Sequence, residues 1–163
     1  MAPGKPKLIV FDLDYTLWPF WVDTHVTPPF KKGSTGEIFD SFGSKIKCYP
    51  EVPEVLKNLH DEGYILGVAS RTGEIQGAKQ LMTLFGWDKY FSYKEIFPGS
   101  KTTHFKNMKK QSGIDYSEMM FFDDEQRNIR DISELGVLSI FVNNGVSKRV
   151  VEEGKKQYFS QRS

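Results

Sequence analysis

The chain has 163 residues and a mass of 18.8 kDa, a length that is typical of one folded domain. Its 22 Lys and Arg nearly balance its 21 Asp and Glu, so the overall charge argues against nucleic acid or an anionic membrane as a partner. A single cysteine, Cys48, excludes an internal disulfide and a cysteine-cluster metal site. We expect a cytoplasmic protein, because no apolar run reaches the roughly 20 residues of a membrane span and the first residues lack the apolar core of a signal peptide.

The first third of the chain begins with a buried strand and continues into an irregular segment. Residues 7–11 form a continuous apolar run, which predicts a strand covered on both faces. Between residues 18 and 48, prolines and glycines interrupt aromatic and β-branched stretches, so we predict a hairpin or flap with loops rather than a helix. A helix is predicted over residues 53–60, where a proline stands in the first turn and Gly63 ends the pattern.

Buried strands and amphipathic helices alternate through the rest of the chain. The predicted strands cover residues 65–69, 91–97, 119–122 and 137–142, and the predicted helices cover residues 73–85, 102–111, 126–135 and 147–159. Such alternation is typical of an α/β protein in which helices flank both faces of a parallel sheet. We therefore predict one Rossmann-like domain over residues 1–163, with residues 18–48 inserted as a short flap.

Polar side chains follow the predicted strands at the points where the apolar runs end. They are Asp12, Asp14, Ser70, Arg71, Lys101, Asp123 and Asp124. In parallel α/β sheets, ligands bind beyond the carboxyl ends of the strands, so we expect these side chains to meet at one edge. Each of them alone also has a structural interpretation, since aspartate and serine start turns and cap helices, and most lysines are solvated.

Taken together, these residues indicate chemistry on a phosphate. Carboxylates that meet at one edge repel one another unless a cation lies between them. The available ligands are all oxygen atoms, because no cysteine or histidine stands at a metal-binding spacing, and oxygen ligands select Mg²⁺ over Zn²⁺. The hydroxyl of Ser70 and the ammonium of Lys101 are donors that a phosphate also needs. The pattern therefore predicts Mg²⁺-dependent phosphoryl transfer.

The residues at these positions resemble the haloacid dehalogenase superfamily. Residues 12–17, DLDYTL, look like its first motif, DxDx[TV], while Ser70, Lys101 and Asp123 with Asp124 look like its second, third and fourth motifs in the same order. The longer stretches DLDYTLWPFWVDTH, YPEVPEVL, ASRT, PGSKTTHF and FFDDE are similar to the magnesium-dependent phosphatase-1 family. This resemblance covers nearly the whole chain, and it implies a small phosphatase that acts on phosphotyrosine or on sugar phosphates.

The same resemblance implies a role for each site residue. Asp12 would be the nucleophile that forms an aspartyl-phosphate, and Asp14 would be the acid for the leaving group and the base for water. The side chains of Asp12 and Asp124 and the backbone carbonyl of Asp14 would hold Mg²⁺, with Asp123 behind Asp124 or in its place. The residues that would contact the substrate are Leu13, Asp14, Ser70, Arg71 and Lys101.

The cap domain that covers the site in much of this superfamily has no counterpart here. Only a helix and a strand separate the second motif from the third, and residues 18–48 are too few and too rich in proline and glycine for a helical cap. An open site admits a phosphorylated side chain of a protein, so we expect a monomeric protein-tyrosine phosphatase, with a ketosamine or fructosamine-6-phosphate type of sugar phosphatase as the alternative. Trp18, Phe20 and Trp21 are candidates either for an aromatic lip over the site or for packing of the flap.

Two interpretations without turnover compete with a phosphatase. A phospho-accepting receiver domain also uses aspartates, a hydroxyl and a lysine on a parallel sheet, but its phosphorylated aspartate follows the third strand, whereas Asp12 and Asp14 follow the first. A scaffold that has lost its activity would have no reason to keep carboxylates that repel one another. Both interpretations are therefore less favoured than an enzyme.

Overall fold

The computed structural model describes residues 5–162, in which strands and helices alternate. In chain order, the elements are β1 (Leu8–Phe11), β2 (Lys31–Lys32), β3 (Ile38–Phe39), β4 (Lys45–Ile46), α1 (Val52–Asp61), β5 (Ile65–Ser70), α2 (Ile75–Leu84), β6 (Phe91–Ile96), α3 (Lys101–Ser112), β7 (Met119–Asp123), α4 (Gln126–Ser133), β8 (Leu138–Phe141) and α5 (Lys148–Arg162). None of the helices in this part of the chain is long and apolar enough to cross a membrane.

Five parallel strands form the central sheet, in the order β6-β5-β1-β7-β8. The first strand of the chain, β1, lies in the middle, where Leu8 is aligned with Ile65 of β5 on one side and with Met119 of β7 on the other. Because all of these pairs are parallel, the strands end at the same edge of the sheet. The α/β fold predicted from the sequence is therefore confirmed.

Alternate residues of β1 enter two different cores, which explains why the strand reads as a continuous apolar run. Ile9 and Phe11 pack in the larger core, which also includes apolar residues of α1, α2 and α5. Leu8 and Val10 pack in a second core with apolar residues of α3 and α4. All four side chains are fully buried, so the sheet is covered on both faces by helices.

Helix boundaries differ from the predicted ones where a capping side chain sets them. The helix predicted from residue 73 begins only at Ile75, because the Glu74 carboxylate accepts a hydrogen bond from the Gly77 N–H at 3.1 Å and closes the first turn. The helix predicted from residue 102 begins at Lys101, where the Ser100 hydroxyl oxygen accepts a bond from the Thr102 N–H at 3.2 Å. This cap places Lys101 in the first turn of α3, at the end of the sheet that carries the site.

The inserted segment forms a small sheet of three strands rather than a simple hairpin. Strands β2, β3 and β4 pair antiparallel in that order, and we call residues 31–46 the flap. The flap contributes Ile38 and Ile46 to the larger core. Its turn is joined to the preceding loop by a hydrogen bond from the Thr27 N–H to the Asp40 carboxylate, at 3.0 Å. The prediction of a hairpin was thus too simple, because two-residue strands give almost no alternating pattern to detect.

Candidate active site

A cavity of about 260 Å³ opens at the edge where the parallel strands end. It is lined by Asp12, Asp14, Trp21, Asp23, Thr24, Ser70, Arg71, Thr72, Lys101, Asp124, Glu125 and Asn128. Most of the residues predicted to form a site therefore meet in one place, although they come from distant parts of the chain. Asp123 lies beneath the others, fully buried, and is not among the lining residues.

Lys101 joins the carboxylates of two neighbouring strand ends. Its Nζ donates to Asp12 Oδ1 at 2.8 Å and to Asp123 Oδ2 at 2.6 Å, and its side chain is almost completely buried. Burial acts to lower the pKa of Lys101, but the two carboxylates outweigh it and raise that pKa, so the ammonium remains charged. This arrangement keeps one positive charge beside Asp12 at the floor of the cavity.

Asp123 and Asp124 are adjacent in sequence and have different surroundings. Asp123 accepts hydrogen bonds on both oxygens, from the Glu125 N–H at 2.9 Å on Oδ1 and from Lys101 and the Asn128 amide on Oδ2. Asp124 is half-buried and faces the cavity, and its Oδ1 accepts a long bond of 3.5 Å from the Thr16 hydroxyl. Asp123 therefore has the contacts of an internal anchor, while Asp124 presents its carboxylate to the cavity.

The donor atoms of this cluster fit Mg²⁺. One carboxylate oxygen from each of Asp12, Asp123 and Asp124 lies within 4.8 Å of the others. Burial first, and then the Asp12 carboxylate, raises the pKa of Asp124 to about 8, so the cluster holds more negative charge than it can stabilise without a cation. An all-carboxylate donor set of this kind suits a small, hard cation such as Mg²⁺.

Asp14 lies at the cavity wall, where a tight turn follows β1. In this turn Tyr15 adopts a positive φ of 58°, and its N–H donates to the Trp18 carbonyl at 2.7 Å. The Asp14 Oδ1 accepts hydrogen bonds from the Trp18 indole Nε1 at 2.8 Å and from the Val22 N–H at 3.1 Å. Burial is the largest influence on this carboxyl and raises the pKa of Asp14 to about 6. A carboxyl with such a pKa can hold and release a proton near neutral pH.

Not all of the predicted substrate-binding residues line the cavity. Ser70 and Arg71 line the cavity together with Asp14 and Lys101, and the Ser70 Oγ accepts a 3.3 Å bond from the Thr72 N–H. Leu13 is not among the lining residues, since its side chain is fully buried in the larger core. The contact between Leu13 and a substrate stays a prediction, and the backbone of Leu13 would have to make it, because the side chain is buried.

Of the three candidates for an aromatic lip, only Trp21 has that position. Trp18 is fully buried and Phe20 is 8% exposed, so both pack the segment onto the core. Trp21 is 51% exposed, lines the cavity and stacks on the His25 ring with centroids 5.0 Å apart. The Tyr15 ring meets Trp21 edge-on at 5.8 Å. Trp21 at the cavity, with the two rings that contact it, forms an aromatic cluster that we call the aromatic rim: Tyr15, Trp21 and His25.

Sequence reasoning missed several residues that hold the site together. The Thr16 hydroxyl donates to Asp12 Oδ2 at 3.2 Å, and the Asn128 amide donates to Asp123 at 3.1 Å. Thr16 stands at the variable Thr/Val position of the DxDx[TV] motif, so the motif itself contained a signal for it. Asn128 lies five residues after Asp123, in the first turn of α4, and only the packed structure brings the two together.

The fold and the site can be compared with known proteins. Residues 5–161 match the model of the acid phosphatase family. Human magnesium-dependent phosphatase 1 is 54% identical over 153 residues, which cover 94% of this chain and 87% of the human protein. A HAD-like hydrolase superfamily protein of Schizosaccharomyces pombe is 46% identical over 143 residues, covering 81% of this chain and 83% of the yeast protein. The solved structure of cobalt-bound deoxy-D-mannose-octulosonate 8-phosphate phosphatase from Haemophilus influenzae is similar with a TM-score of 0.62 at 14% identity, covering 99% of this chain and 94% of that chain.

A parallel sheet that collects aspartates and a buried lysine at its carboxyl edge, together with these similarities, defines a phosphatase of the haloacid dehalogenase superfamily. Within that class, the chain belongs to the acid phosphatase family, as the match over residues 5–161 and the identity to the human relative establish. The resemblance predicted from the sequence motifs is therefore confirmed, and the roles of the individual residues stay predictions.

Proposed function

We propose that this protein is a Mg²⁺-dependent phosphomonoester hydrolase that works through an aspartyl-phosphate, an acyl phosphate formed on Asp12. The observation that carries the proposal is the position of Asp12, which lies in an open cavity with Lys101 at 2.8 Å and Asp14 in the same wall. A nucleophile, a proton donor and a fixed positive charge are the groups that a two-step phosphoryl transfer requires. The magnesium dependence in the name of the human relative agrees with this proposal.

In the first step, an oxygen of the Asp12 carboxylate attacks phosphorus and the bond from phosphorus to the ester oxygen breaks. The bonding electron pair stays on the ester oxygen, which takes the proton of the neutral Asp14 carboxyl and leaves as an alcohol. Lys101, in hydrogen-bond contact with Asp12, holds the attacking carboxylate in place and faces the phosphoryl oxygens. The products of this step are the acyl phosphate on Asp12, an ionised Asp14 and the free alcohol.

In the second step, water attacks the phosphorus of this acyl phosphate. The ionised Asp14 carboxylate accepts a proton from the water, the bond from phosphorus to the Asp12 oxygen breaks, and inorganic phosphate forms. Asp12 returns as a carboxylate and Asp14 returns as a neutral acid. The Ser70 hydroxyl and the Arg71 guanidinium, both at the cavity wall, are placed to donate to the phosphoryl oxygens through both steps.

The charge of the cavity supports a bound cation. Its lining contains five carboxylates and two cationic side chains: Asp12, Asp14, Asp23, Asp124 and Glu125 against Arg71 and Lys101. We propose that the side chains of Asp12 and Asp124 and the backbone carbonyl of Asp14 hold Mg²⁺, with Asp123 oriented toward Lys101 instead. When bound, Mg²⁺ supplies positive charge that offsets the charge of a phosphate and of the surrounding carboxylates.

As substrate we propose a phosphotyrosine side chain on a protein or peptide. The aromatic rim stands at the mouth of the cavity, and a half-exposed Trp21 offers a flat surface on which a phenyl ring can stack. Since the flap packs into the core and leaves the mouth open, a bulky phosphorylated chain can approach. Part of this proposal is that residues 1–163 act as one monomeric, cytoplasmic domain.

A sugar phosphate, such as a ketosamine 6-phosphate, is the second candidate. The observation that favours it is the polar part of the cavity lining, where Asp23 and Thr24 offer groups that can bind sugar hydroxyls. The two substrates therefore depend on different parts of the same loop, with Trp21 serving the aromatic ring and Asp23 and Thr24 serving the hydroxyls.

A comparison of kcat/KM separates the candidates. Purified full-length protein with Mg²⁺ is assayed against a phosphotyrosine peptide, a ketosamine 6-phosphate and p-nitrophenyl phosphate, with the Asp12→Asn variant as the control for contaminating phosphatases. A higher kcat/KM for the peptide supports the first candidate, and a higher value for the sugar phosphate supports the second. Release of only one equivalent of p-nitrophenol from wild-type protein would contradict an enzyme and favour a phospho-accepting domain. Cell fractionation and gel filtration test the cytoplasmic location and the monomeric state.

A further inference from the structure

The Asp14 carboxyl is held by a pair of hydrogen bonds that both end on one of its oxygens. Trp18 Nε1 donates to Asp14 Oδ1 at 2.8 Å, and the Val22 N–H donates to the same atom at 3.1 Å. Indole and amide N–H groups are donors only, so the oxygen they share acts as an acceptor. A neutral carboxyl has one accepting carbonyl oxygen and one O–H, and the anchored Oδ1 is the accepting one. The proton of the neutral acid is thereby directed to Oδ2.

Trp18 is a rigid donor because aromatic rings surround it. The side chain is fully buried, and its ring stacks on Phe20 at 5.4 Å, on Trp87 at 6.0 Å and on Phe85 at 6.3 Å. A backbone hydrogen bond also joins Trp18 to this turn. The Trp18 carbonyl accepts it from the Tyr15 N–H, and it closes the turn that carries Asp14. A ring fixed in this stack keeps its N–H directed at one point, unlike the hydroxyl of a mobile side chain.

We propose that Trp18 is a positioning residue for the acid of the reaction: its indole N–H fixes Oδ1 of Asp14, so that Oδ2 carries the proton toward the leaving oxygen. This inference rests on the proposed role of Asp14. Trp18 itself is not among the residues that line the cavity. It acts through Asp14, so its influence is largest where the leaving group most needs a proton.

The chain offers a matched control for this inference. Trp87 belongs to the same aromatic stack, is 1% exposed, and is the residue whose indole nitrogen has no hydrogen-bond partner within the described part of the chain. Replacing either tryptophan by phenylalanine removes a similar amount of buried ring. Only Trp18→Phe also removes a donor to Asp14.

The test compares two substrates of similar size and different leaving-group quality, p-nitrophenyl phosphate and benzyl phosphate. The rate of alcohol release in a single turnover is measured with Mg²⁺ for wild type, Trp18→Phe, Trp87→Phe, Asp14→Asn and the double variant Asp14→Asn/Trp18→Phe. We expect Trp18→Phe to slow benzyl phosphate by about tenfold or more, part of the roughly 10²–10⁴-fold that general acid catalysis supplies, and to slow p-nitrophenyl phosphate much less. Trp87→Phe should change both rates by the same factor.

The double variant tests whether Trp18 acts through Asp14. Once Asp14 is replaced, Trp18→Phe should cause no further selective loss on benzyl phosphate. A selective loss that persists in the Asp14→Asn background overturns the inference, as does an equal slowing of both substrates by Trp18→Phe. If Asp14→Asn itself shows no selective loss on benzyl phosphate, the proposed acid role of Asp14 is wrong and the inference falls with it.

A second replacement covers the case in which Trp18→Phe does not fold. Benzothienylalanine, incorporated at position 18, keeps both rings and exchanges the N–H for sulfur, so the aromatic stack is retained. Thermal unfolding close to that of wild type confirms that packing is intact. Selective slowing of benzyl phosphate in this protein supports the inference, and unchanged rates on both substrates overturn it.

Discussion

Asp12 and Asp14 stand two residues apart and have different neighbours. Asp12 is paired with Lys101, whereas Asp14 accepts uncharged N–H donors. The Lys101 ammonium holds the Asp12 carboxylate in place for attack on phosphorus, while burial without a cation beside it raises the pKa of Asp14. The two side chains therefore have the electrostatic surroundings that their proposed roles require.

Replacing each aspartate by asparagine should stop the reaction in a different way. Asp12→Asn removes the attacking oxygen, so no phosphorylated protein should form with any substrate. Asp14→Asn keeps the nucleophile, so p-nitrophenyl phosphate should still label the protein while hydrolysis of that label slows by about 10²–10⁴-fold. Rapid quenching with ³²P-labelled substrate, followed by peptide mapping, measures both. A phosphate ester on any residue other than Asp12 would refute the mechanism.

The raised pKa of Asp14 predicts the pH dependence of the first step. Because burial raises the pKa of Asp14 from 3.8 to about 6, the neutral acid prevails below that value, and any stability from burying the neutral form is lost as pH rises through it. For benzyl phosphate, kcat/KM should therefore decline above about pH 6. Asp14→Asn should abolish this decline, and a pH profile unchanged by that substitution would contradict the assignment.

Asp123 and Asp124 should respond differently to the same substitution. Asp124→Asn should raise the Mg²⁺ concentration for half-maximal activity by more than the roughly 10–100-fold typical of residues that only support a ligand. Asp123→Asn breaks a buried ion pair with Lys101 and should lower the free energy of unfolding by about 3–5 kcal/mol. Mg²⁺ titrations and urea unfolding of both variants show which of the two aspartates is the metal ligand. A larger Mg²⁺ effect for Asp123→Asn would make Asp123 the ligand.

At the scale of elements, one loop connects the site with the flap. Residues 21–27 begin at Trp21 on the rim of the cavity and end at Thr27, whose N–H and carbonyl are both bonded to the flap, at Asp40 and Ser41. Asp40 is buried and accepts two further bonds from the N–H groups of Phe42 and Ser44. The flap therefore supports the loop that carries Trp21 and His25.

This arrangement predicts that Trp21 governs substrate affinity more than chemistry. Trp21→Ala should raise KM for an aryl phosphate about 3- to 10-fold, the equivalent of one lost aromatic contact, and leave kcat for a small alkyl phosphate nearly unchanged. The free energy of unfolding should fall by only about 1 kcal/mol, since the ring is half-exposed. Phe42→Ala serves as the matched control, because Phe42 is 83% exposed on the flap and does not line the cavity. A large loss of stability with unchanged KM would contradict the prediction.

At the scale of the whole molecule, the sequence predicts the strands of the central sheet, whereas for the flap it predicts the presence of a hairpin and not the three strands. Strands such as residues 119–122 are buried on both faces, so each position must be apolar and the run is visible locally. The flap strands have two residues each, and the residue before the first of them is held by a contact distant in sequence, the 2.7 Å bond from the Phe30 N–H to Gln80.

In the candidate site, too, the sequence predicts some features and not others. The strand-end residues could be predicted because topology alone brings them to one edge. The burial of Trp18 and the exposure of Trp21 could not, since both stand in an irregular segment with no periodicity that separates inward from outward positions.

Mg²⁺ should control both the activity and the heat stability of the protein. EDTA should abolish hydrolysis and Mg²⁺ restore it, while Ca²⁺ should inhibit because its looser coordination misplaces Asp12. At a concentration of about a hundred times Kd, binding adds about 2.7 kcal/mol and should raise Tm by about 5–10 °C. Differential scanning calorimetry of EDTA-treated protein measures this shift, and Asp124→Asn, which should lack it, controls for general salt effects. Full activity in EDTA would contradict the assignment.

In the acidic cluster, the Asp124 carboxylate that serves the proposed function also lowers the stability of the fold. In the metal-free protein, burial first and then the Asp12 carboxylate raise the pKa of Asp124 to about 8, so a negative charge on this side chain is unfavourable. A neutral side chain at position 124 would remove this unfavourable charge and stabilise the fold. It would also remove a carboxylate from the cation site. Selection for thermal robustness alone would drift away from this aspartate, while selection for turnover would retain it. The most stable version of this chain and the most active one are thus different sequences.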